Sequence, residues 1–197
     1  MNNSLQLSEV EAVIRQRRTI KPDKMNGKVI PDPLVQRLIE SADWAPTHAR
    51  TEPWRFIVID NAKISEFTRS HADLLKQVAD PATFTQLRYD KIANQGNNAS
   101  HIIIPWMKRV ANHKIPEIEE VAAVSAAIQN LILTATALNI ASFWSSGGVT
   151  HHELFRKALQ LGEEDKVLGI LFLGYTDEPL KEGSRTIPLS EKIEWRR

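Results

Sequence analysis

The sequence contains no cysteine. That absence removes disulfides, thiolate metal sites, iron–sulfur clusters and cysteine nucleophiles, so any redox chemistry must be carried by a bound cofactor. It also suits a reducing compartment, and a cytoplasmic location is expected. Glycine is sparse, 8 in 197 residues, and none completes a Gly-x-Gly-x-x-Gly, P-loop or Gly-x-Ser-x-Gly pattern. Rossmann-type dinucleotide binding, NTP hydrolysis and serine-hydrolase chemistry therefore lack a motif. Neither sign of charge is in excess: the formal net charge is +1, so no global field recruits nucleic acid or an acidic membrane. The stretch Met1 to Glu11 lacks the apolar core of a signal peptide. His151 and His152 are adjacent, so they do not share a helix face, and no carboxylate stands at zincin spacing; no metal is expected.

What is present is ordinary for a globular chain, with 42% hydrophobic and 25% charged residues. Ser8 and Glu11 read as a capping box for a helix running to about Arg17, and Asp32-Pro33 as the start of a second that ends at Ala45-Pro46. Arg55 to Ile59 reads as a buried strand. Asn61 reads as the cap of a helix, Thr83 to Ala93 as a further helix, and Asn94 to Asn98 as a loop. Ile102 to Ile104 suggests a strand whose Pro105 calls for a bulge or an edge position. Thr150 and Glu153 read as a second capping box for a helix to about Leu161, and Lys166 to Tyr175 as the strongest strand, followed by a polar tail. No repeat or linker divides the chain, so residues 1–197 are expected to form one α+β domain.

From Val121 to Thr150 there is no charged residue, enough length to span a bilayer. Gln129, Asn130, Thr134, Thr136 and Asn139 interrupt the stretch, and Glu117, Glu119 and Glu120 precede it, where they suit a helix dipole. The expectation is a helix opened by Pro116, ending near Asn139 and buried on most sides, with small residues from Ala122 to Ala127 that let another helix approach closely.

Three clusters carry possible chemistry. Arg17, Arg18 and Lys21 fall within five residues with the Thr19 hydroxyl among them. Arginine forks match phosphate oxygens, while a solvated basic helix end would give the same pattern. The loop Ala45 to Trp54 holds His48 and Arg50 between Pro46 and Pro53, which restrict the backbone and lower the entropic cost of holding those side chains. Phe143-Trp144-Ser145-Ser146-Gly147-Gly148 runs two aromatics into a turn, able to set backbone groups beside a flat ring or simply to end a strand.

Taken in order, these pieces resemble the nitroreductase family of FMN-dependent oxidoreductases, above all its short members. The likeness covers the Arg-Arg-Thr segment after the first helix, the Ala45-Pro46 to Pro53-Trp54 loop, the Ala-rich helix, the Trp/Gly turn, Leu168 to Gly174, and a tail arginine. The resemblance implies a central, mostly antiparallel sheet flanked by helices, and an interlocked homodimer with two FMN molecules at its interface. It implies that Arg17 and Arg18 bind FMN phosphate and ribityl groups with Thr19 on the same side. Lys21 would face the pyrimidine edge as the one residue with a catalytic part, stabilising the anionic reduced flavin. His48 would come from the other subunit, Trp144, Ser145, Ser146 and Gly147 would pass the flavin, and Arg185 would close on the phosphate. Trp44, Arg50 and Glu52 complete the expected cofactor set. NADH or NADPH would be the donor, and a nitroaromatic, quinone or related small molecule the acceptor.

The chain departs from the family pattern where Arg50 and Glu52 replace a common Asn and Gln, and where Ser145 replaces an arginine of close short members. Other readings are an enzyme of the same fold doing reductive dehalogenation or flavin fragmentation, with Asp80 to Asn98 as the only place for a lid, and a non-catalytic flavin-binding protein. A helix-turn-helix built on Arg15 to Arg18 is disfavoured by the near-neutral charge and the strand content.

Overall fold

The computed structural model describes residues 7–111 and 114–197. Among the described residues, eleven α-helices and β-strands follow in order, besides three short 3-10 turns: α1 (Leu7–Gln16), α2 (Asp32–Ala42), β1 (Trp54–Ile59), α3 (Asn61–Val78), α4 (Gln86–Ala93), β2 (His101–Met107), α5 (Glu117–Ala137), β3 (Ala141–Ser145), α6 (Glu153–Ala158), β4 (Lys166–Val167) and β5 (Ile170–Gly174). The strands form one sheet in the order β1-β2-β5-β3, with β4 also on β2, and every strand pair is antiparallel.

Alternation along the central strands explains why they read as continuous apolar runs. Ile103 and Met107 of β2, with Leu171 and Leu173 of β5, enter a core with Leu38 of α2 and Val124, Ile128 and Leu131 of α5. Ile102, Ile104, Ile170 and Phe172 face the opposite way, onto Ile64 and Leu75 of α3 and Phe155 of α6. Both faces of the sheet are covered, so neither register carries the polar alternation of a half-solvated strand.

α5 is long and apolar enough to cross a membrane by length and composition, yet its inner face is packed in protein. Ala123, Ala127 and Ala135 are buried along it. Its three acidic residues do more than suit a dipole: Glu117 pairs with Lys166, Glu119 with His48, and the buried Glu120 with Arg109.

Several local expectations are corrected. Ser8 lies inside α1, which begins at Leu7, so it is not the cap. Asp60, not Asn61, caps α3, accepting from the Lys63 N–H. His152, not Thr150, caps α6, accepting from the Leu154 N–H, and the helix stops at Ala158. α4 begins at Gln86 behind a Thr85 cap rather than at Thr83.

Pro105 is not on a sheet edge. It pairs with Phe56 on one side, and on the other its carbonyl accepts the Leu168 N–H at 3.0 Å. That second side is where the expected long strand is broken into β4 and β5 by Leu168-Gly169, so the N–H that proline lacks falls at an interruption in the ladder. The break has its own cause. Trp144 Nε1 donates to the Leu168 carbonyl at 2.9 Å, and a Cβ on Gly169 would lie 2.1 Å from that nitrogen. Only a residue without a side chain lets the indole reach the strand there.

Candidate active site

The last turn of α1 closes with the Arg17 N–H on the Val13 carbonyl, after which the chain turns extended and runs along the free edge of β3. The Ile20 N–H donates to the Ser142 carbonyl at 3.0 Å, and Thr19 forms a parallel bridge with Ser142. This added strand edge distributes the basic cluster. Arg17 and Thr19 line a cavity of about 320 Å³ with Gln129, Ile132, Ser142 and Trp144, and the Arg17 guanidinium donates to the Thr19 hydroxyl at 3.3 Å.

Arg18 takes the other direction. Its guanidinium donates to the carbonyls of Lys181, Arg15 and Arg17, and it lines a separate hollow with Gln16, Thr136 and Glu178. The tail packs onto it so closely that a Cβ on Gly183 would lie 2.8 Å from its Cζ. The same stretch of tail carries Arg185 back to the cluster. Burial first, then the charges of Arg18 and Arg185, hold the Arg17 guanidinium below its ordinary pKa. No ion pair among the described residues neutralises Arg17, Arg18 or Arg185.

Lys21 stands apart from Arg17. It lines a larger cavity, about 680 Å³, with Lys91, Asn94, Gln95, Asn97 and Phe143. The segment 94–98, expected as a plain loop, thus supplies an amide-rich wall of donors and acceptors. Along β3, Ser142 and Trp144 line the Arg17 cavity, Phe143 lines the Lys21 cavity, and Ser145 lines a third cavity beside it. The region 80–98, where a lid was expected, contributes Lys91, Asn94, Gln95, Asn97 and Asn98 to this wall. It is pinned to α3 by the Tyr89 hydroxyl donating to Asp73 at 2.7 Å and by the Thr68 hydroxyl donating to the Ala93 carbonyl at 2.8 Å.

The turn after β3 is held from behind. Ser145 is buried and its hydroxyl accepts the Gly147 N–H, Ser146 is exposed, and the Gly147 carbonyl accepts from the Thr150 hydroxyl. His71 of α3 places Nε2 3.4 Å from that carbonyl, with its ring edge-on to Phe155 at 4.7 Å. Gly148 has a left-handed φ of 66°, and a Cβ there would sit 2.4 Å from His71 Nε2, so side chain and turn fix each other.

Burial lowers the His71 pKa, and its Nδ1 has no hydrogen-bond partner. The folded protein therefore keeps the ring neutral, while the unfolded chain takes up the proton first as the pH falls. Stability from this group is fully present above the unfolded pKa of about 6.5 and is lost on acidification below it. The thermal midpoint should fall more steeply between about pH 7 and pH 5 in the wild type than in His71→Gln. Scanning calorimetry giving equal slopes would contradict this.

The loop after α2 contributes to neither cavity. Trp44 is 88% exposed. His48 Nδ1 meets Glu119 Oε2 at 2.5 Å, at the start of α5. Ala49, Arg50 and Glu52 have φ of 50°, 55° and 41°, left-handed values without glycine, and all three are exposed. Such backbone costs on the order of 1 kcal/mol or more per residue and persists where surrounding structure enforces it. Here Thr47 and Thr51 join their hydroxyls at 2.8 Å across the turn, and Trp54 Nε1 donates to Asp43 at 2.8 Å beneath it.

Of the residues singled out in sequence, Arg17, Thr19 and Trp144 share a cavity, Arg18 and Arg185 join their electrostatic cluster, and Lys21 and Ser145 line two other cavities. His48, Arg50, Glu52 and Trp44 remain outside. Gln129, Lys91, Asn94, Gln95 and His71 were not singled out. Gln129 had a visible signal, an amide interrupting an otherwise apolar helix.

The Nitroreductase family model matches residues 14–175. The candidate NAD(P)H nitroreductase YdjA of Escherichia coli (strain K12) is 30% identical over 140 residues, covering 71% of this chain and 74% of its own. A nitroreductase-like family protein from Bacillus cereus superimposes with a TM-score of 0.82 at 24% identity, covering 100% of this chain and 98% of that one. A nitroreductase candidate from Desulfovibrio desulfuricans, solved in complex with FMN, superimposes with a TM-score of 0.70 at 25% identity, covering 95% and 96%. With most of its length matched in sequence and its sheet and helices in the same arrangement, the chain belongs to the nitroreductase family, a family of oxidoreductases.

Proposed function

We propose that the protein is a cytoplasmic, homodimeric FMN enzyme that takes electrons from NADH or NADPH and delivers them to a nitroaromatic, a quinone or a related small acceptor. One observation carries this reading: Arg17, Arg18 and Arg185 converge from opposite ends of the chain with no carboxylate among the described residues to neutralise them. Like charges gathered at a half-buried site are unfavourable until an anion joins them, and a phosphate matches the arginine fork. The Desulfovibrio relative was solved with FMN, a phosphate-bearing flavin.

The residues present fit that cofactor. Arg17 and the Thr19 hydroxyl offer donors to the phosphate end, with Arg185 closing on it from the tail. Arg18 steadies the tail through the Lys181 carbonyl. Lys21, Asn94 and Gln95 offer the mixed donors and acceptors that a pyrimidine edge requires. When bound, FMN supplies two-electron chemistry between nicotinamide donor and acceptor at its N5. The Trp144 to Gly147 turn, braced by His71, would present backbone groups to the ring.

A second copy completes the site in this reading. The tail beyond Thr176 leaves Leu180, Ile187, Leu189 and Trp195 exposed, the last at 77%, and Ile118 of α5 is 72% exposed. Apolar side chains spread along an extended tail with no core beneath them fit an arm that lies on a partner. His48, Arg50 and Glu52, presented outward on a strained loop, would then reach the partner's flavin rather than their own.

The test is direct. Purified protein titrated with FMN should turn yellow and bind it at one flavin per chain, sediment as a dimer, and bleach under anaerobic NADH or NADPH. A chain that stays colourless after exposure to FMN overturns the reading.

A further inference from the structure

We infer that the cavity enclosed by α3, α4 and the Gly147-Gly148 turn is a binding site for a single-ring aromatic carboxylate, separate from the arginine cluster at Arg17. The cavity measures about 290 Å³, at the small end of the roughly 300–1,000 Å³ typical of ligand pockets, so it suits one ring rather than a dinucleotide. Its floor is aromatic and buried or half-buried: Phe67 and His71 of α3 and Phe172 of β5. Phe67 and His71 stack with centroids 6.2 Å apart, and further apolar surface comes from Ile92 and Ile170.

The roof has an unusual composition. Arg88, Lys91 and Ile92 fall at the i, i+3, i+4 spacing of one face of α4, and they line the cavity with Gln95 from the turn that follows the helix. A helix facing an apolar floor ordinarily turns apolar side chains to it; here Ile92 does so, flanked by the exposed cations Arg88 and Lys91. No carboxylate lines the cavity, and no ion pair among the described residues includes Arg88 or Lys91. The acids on the neighbouring turns are engaged elsewhere, Asp73 by the Tyr89 hydroxyl and Asp90 by the Gln86 amide. A flat ring on the floor with an anionic substituent directed at Arg88 and Lys91 satisfies both surfaces at once. A bare inorganic anion leaves the floor unused, and a neutral ring makes no use of the two cations, which stand exposed at the rim of the cavity. Lys91 and Gln95 also line the Lys21 cavity, so the two spaces share a wall.

The experiment is calorimetric titration of FMN-treated protein with benzoate, benzamide and acetate. Benzoate should bind at least about tenfold more tightly than either control, and Arg88→Gln should weaken benzoate about tenfold while leaving benzamide unchanged, as loss of one charge-assisted hydrogen bond predicts. Arg88→Lys should restore part of the affinity, and Ile92→Trp, which fills the space, should abolish binding. Acetate binding as well as benzoate would overturn the proposal, as would benzoate affinity that is unchanged in Arg88→Gln. So would affinity lost in Arg17→Met but kept in Arg88→Gln, which would assign the anion to the arginine cluster. The visible spectrum of the same samples reports FMN separately: a protein that takes up no flavin should still bind benzoate.

Discussion

Replacing Arg17 by methionine is expected to weaken FMN binding about 10- to 100-fold and, at low ionic strength, to raise the thermal midpoint of the flavin-free protein. The two effects have opposite signs because they come from one cause. Arg17 sits half-buried beside Arg18 and Arg185, and both neighbours and its own desolvation push its pKa down. Without an anion the three charges repel, and methionine relieves that repulsion while keeping the apolar length that an arginine stem contributes to the cavity wall. With a phosphate present, the same charge is the group best placed to bind it, since Arg18 already spends its donors on the Lys181, Arg15 and Arg17 carbonyls. Flavin fluorescence quenching gives the affinity and calorimetry the midpoint. The gain in midpoint should shrink as salt screens the cluster. Unchanged FMN affinity would remove Arg17 from the site.

The way the site is assembled also explains which parts of it were readable in the sequence. The apolar runs of β2 and β5 were readable because both sheet faces are covered, so burial needs no partner to be known. The basic cluster was visible in the sequence because three cations and a hydroxyl are local, a pattern that a solvated helix end gives equally. Its division was not: Arg17 and Arg18 point apart because the chain joins the edge of β3, a pairing with residue 142 that no local pattern announces. The break at Leu168-Gly169 depends on Trp144 arriving from another strand, so a uniformly apolar segment read as one strand. The cap of α6 is His152 because the helix starts at Glu153, later than a Thr150 cap requires, while the Thr150 hydroxyl donates to the Gly147 carbonyl in the turn beside the site. Lys91 and Gln95 look like any solvated helix end until α3 and β5 are placed beneath them.

Lys21→Ala is expected to slow anaerobic flavin bleaching by NADH or NADPH about 10- to 100-fold while changing FMN affinity by no more than about threefold, the loss of a positioned charge rather than of an anchor. The geometry separates the two jobs. Lys21 lines a different cavity from Arg17, with Asn94, Gln95 and Phe143 and with Asp23 and Lys91 as the other charged groups, so the amides supply neutral hydrogen bonds and the ammonium supplies charge. Neutral amides can hold a ring edge in either oxidation state, so removing the lysine leaves binding largely in place. Only a cation offsets the negative charge that the pyrimidine edge gains on reduction, so the rate should respond where the affinity does not. Lys21→Arg keeps that charge and should recover most of the rate, which distinguishes electrostatics from packing. Stopped-flow reduction alongside equilibrium titration reads both quantities on the same variants. A normal bleaching rate in Lys21→Ala would move the charge compensation to Lys91, the other cation on that wall.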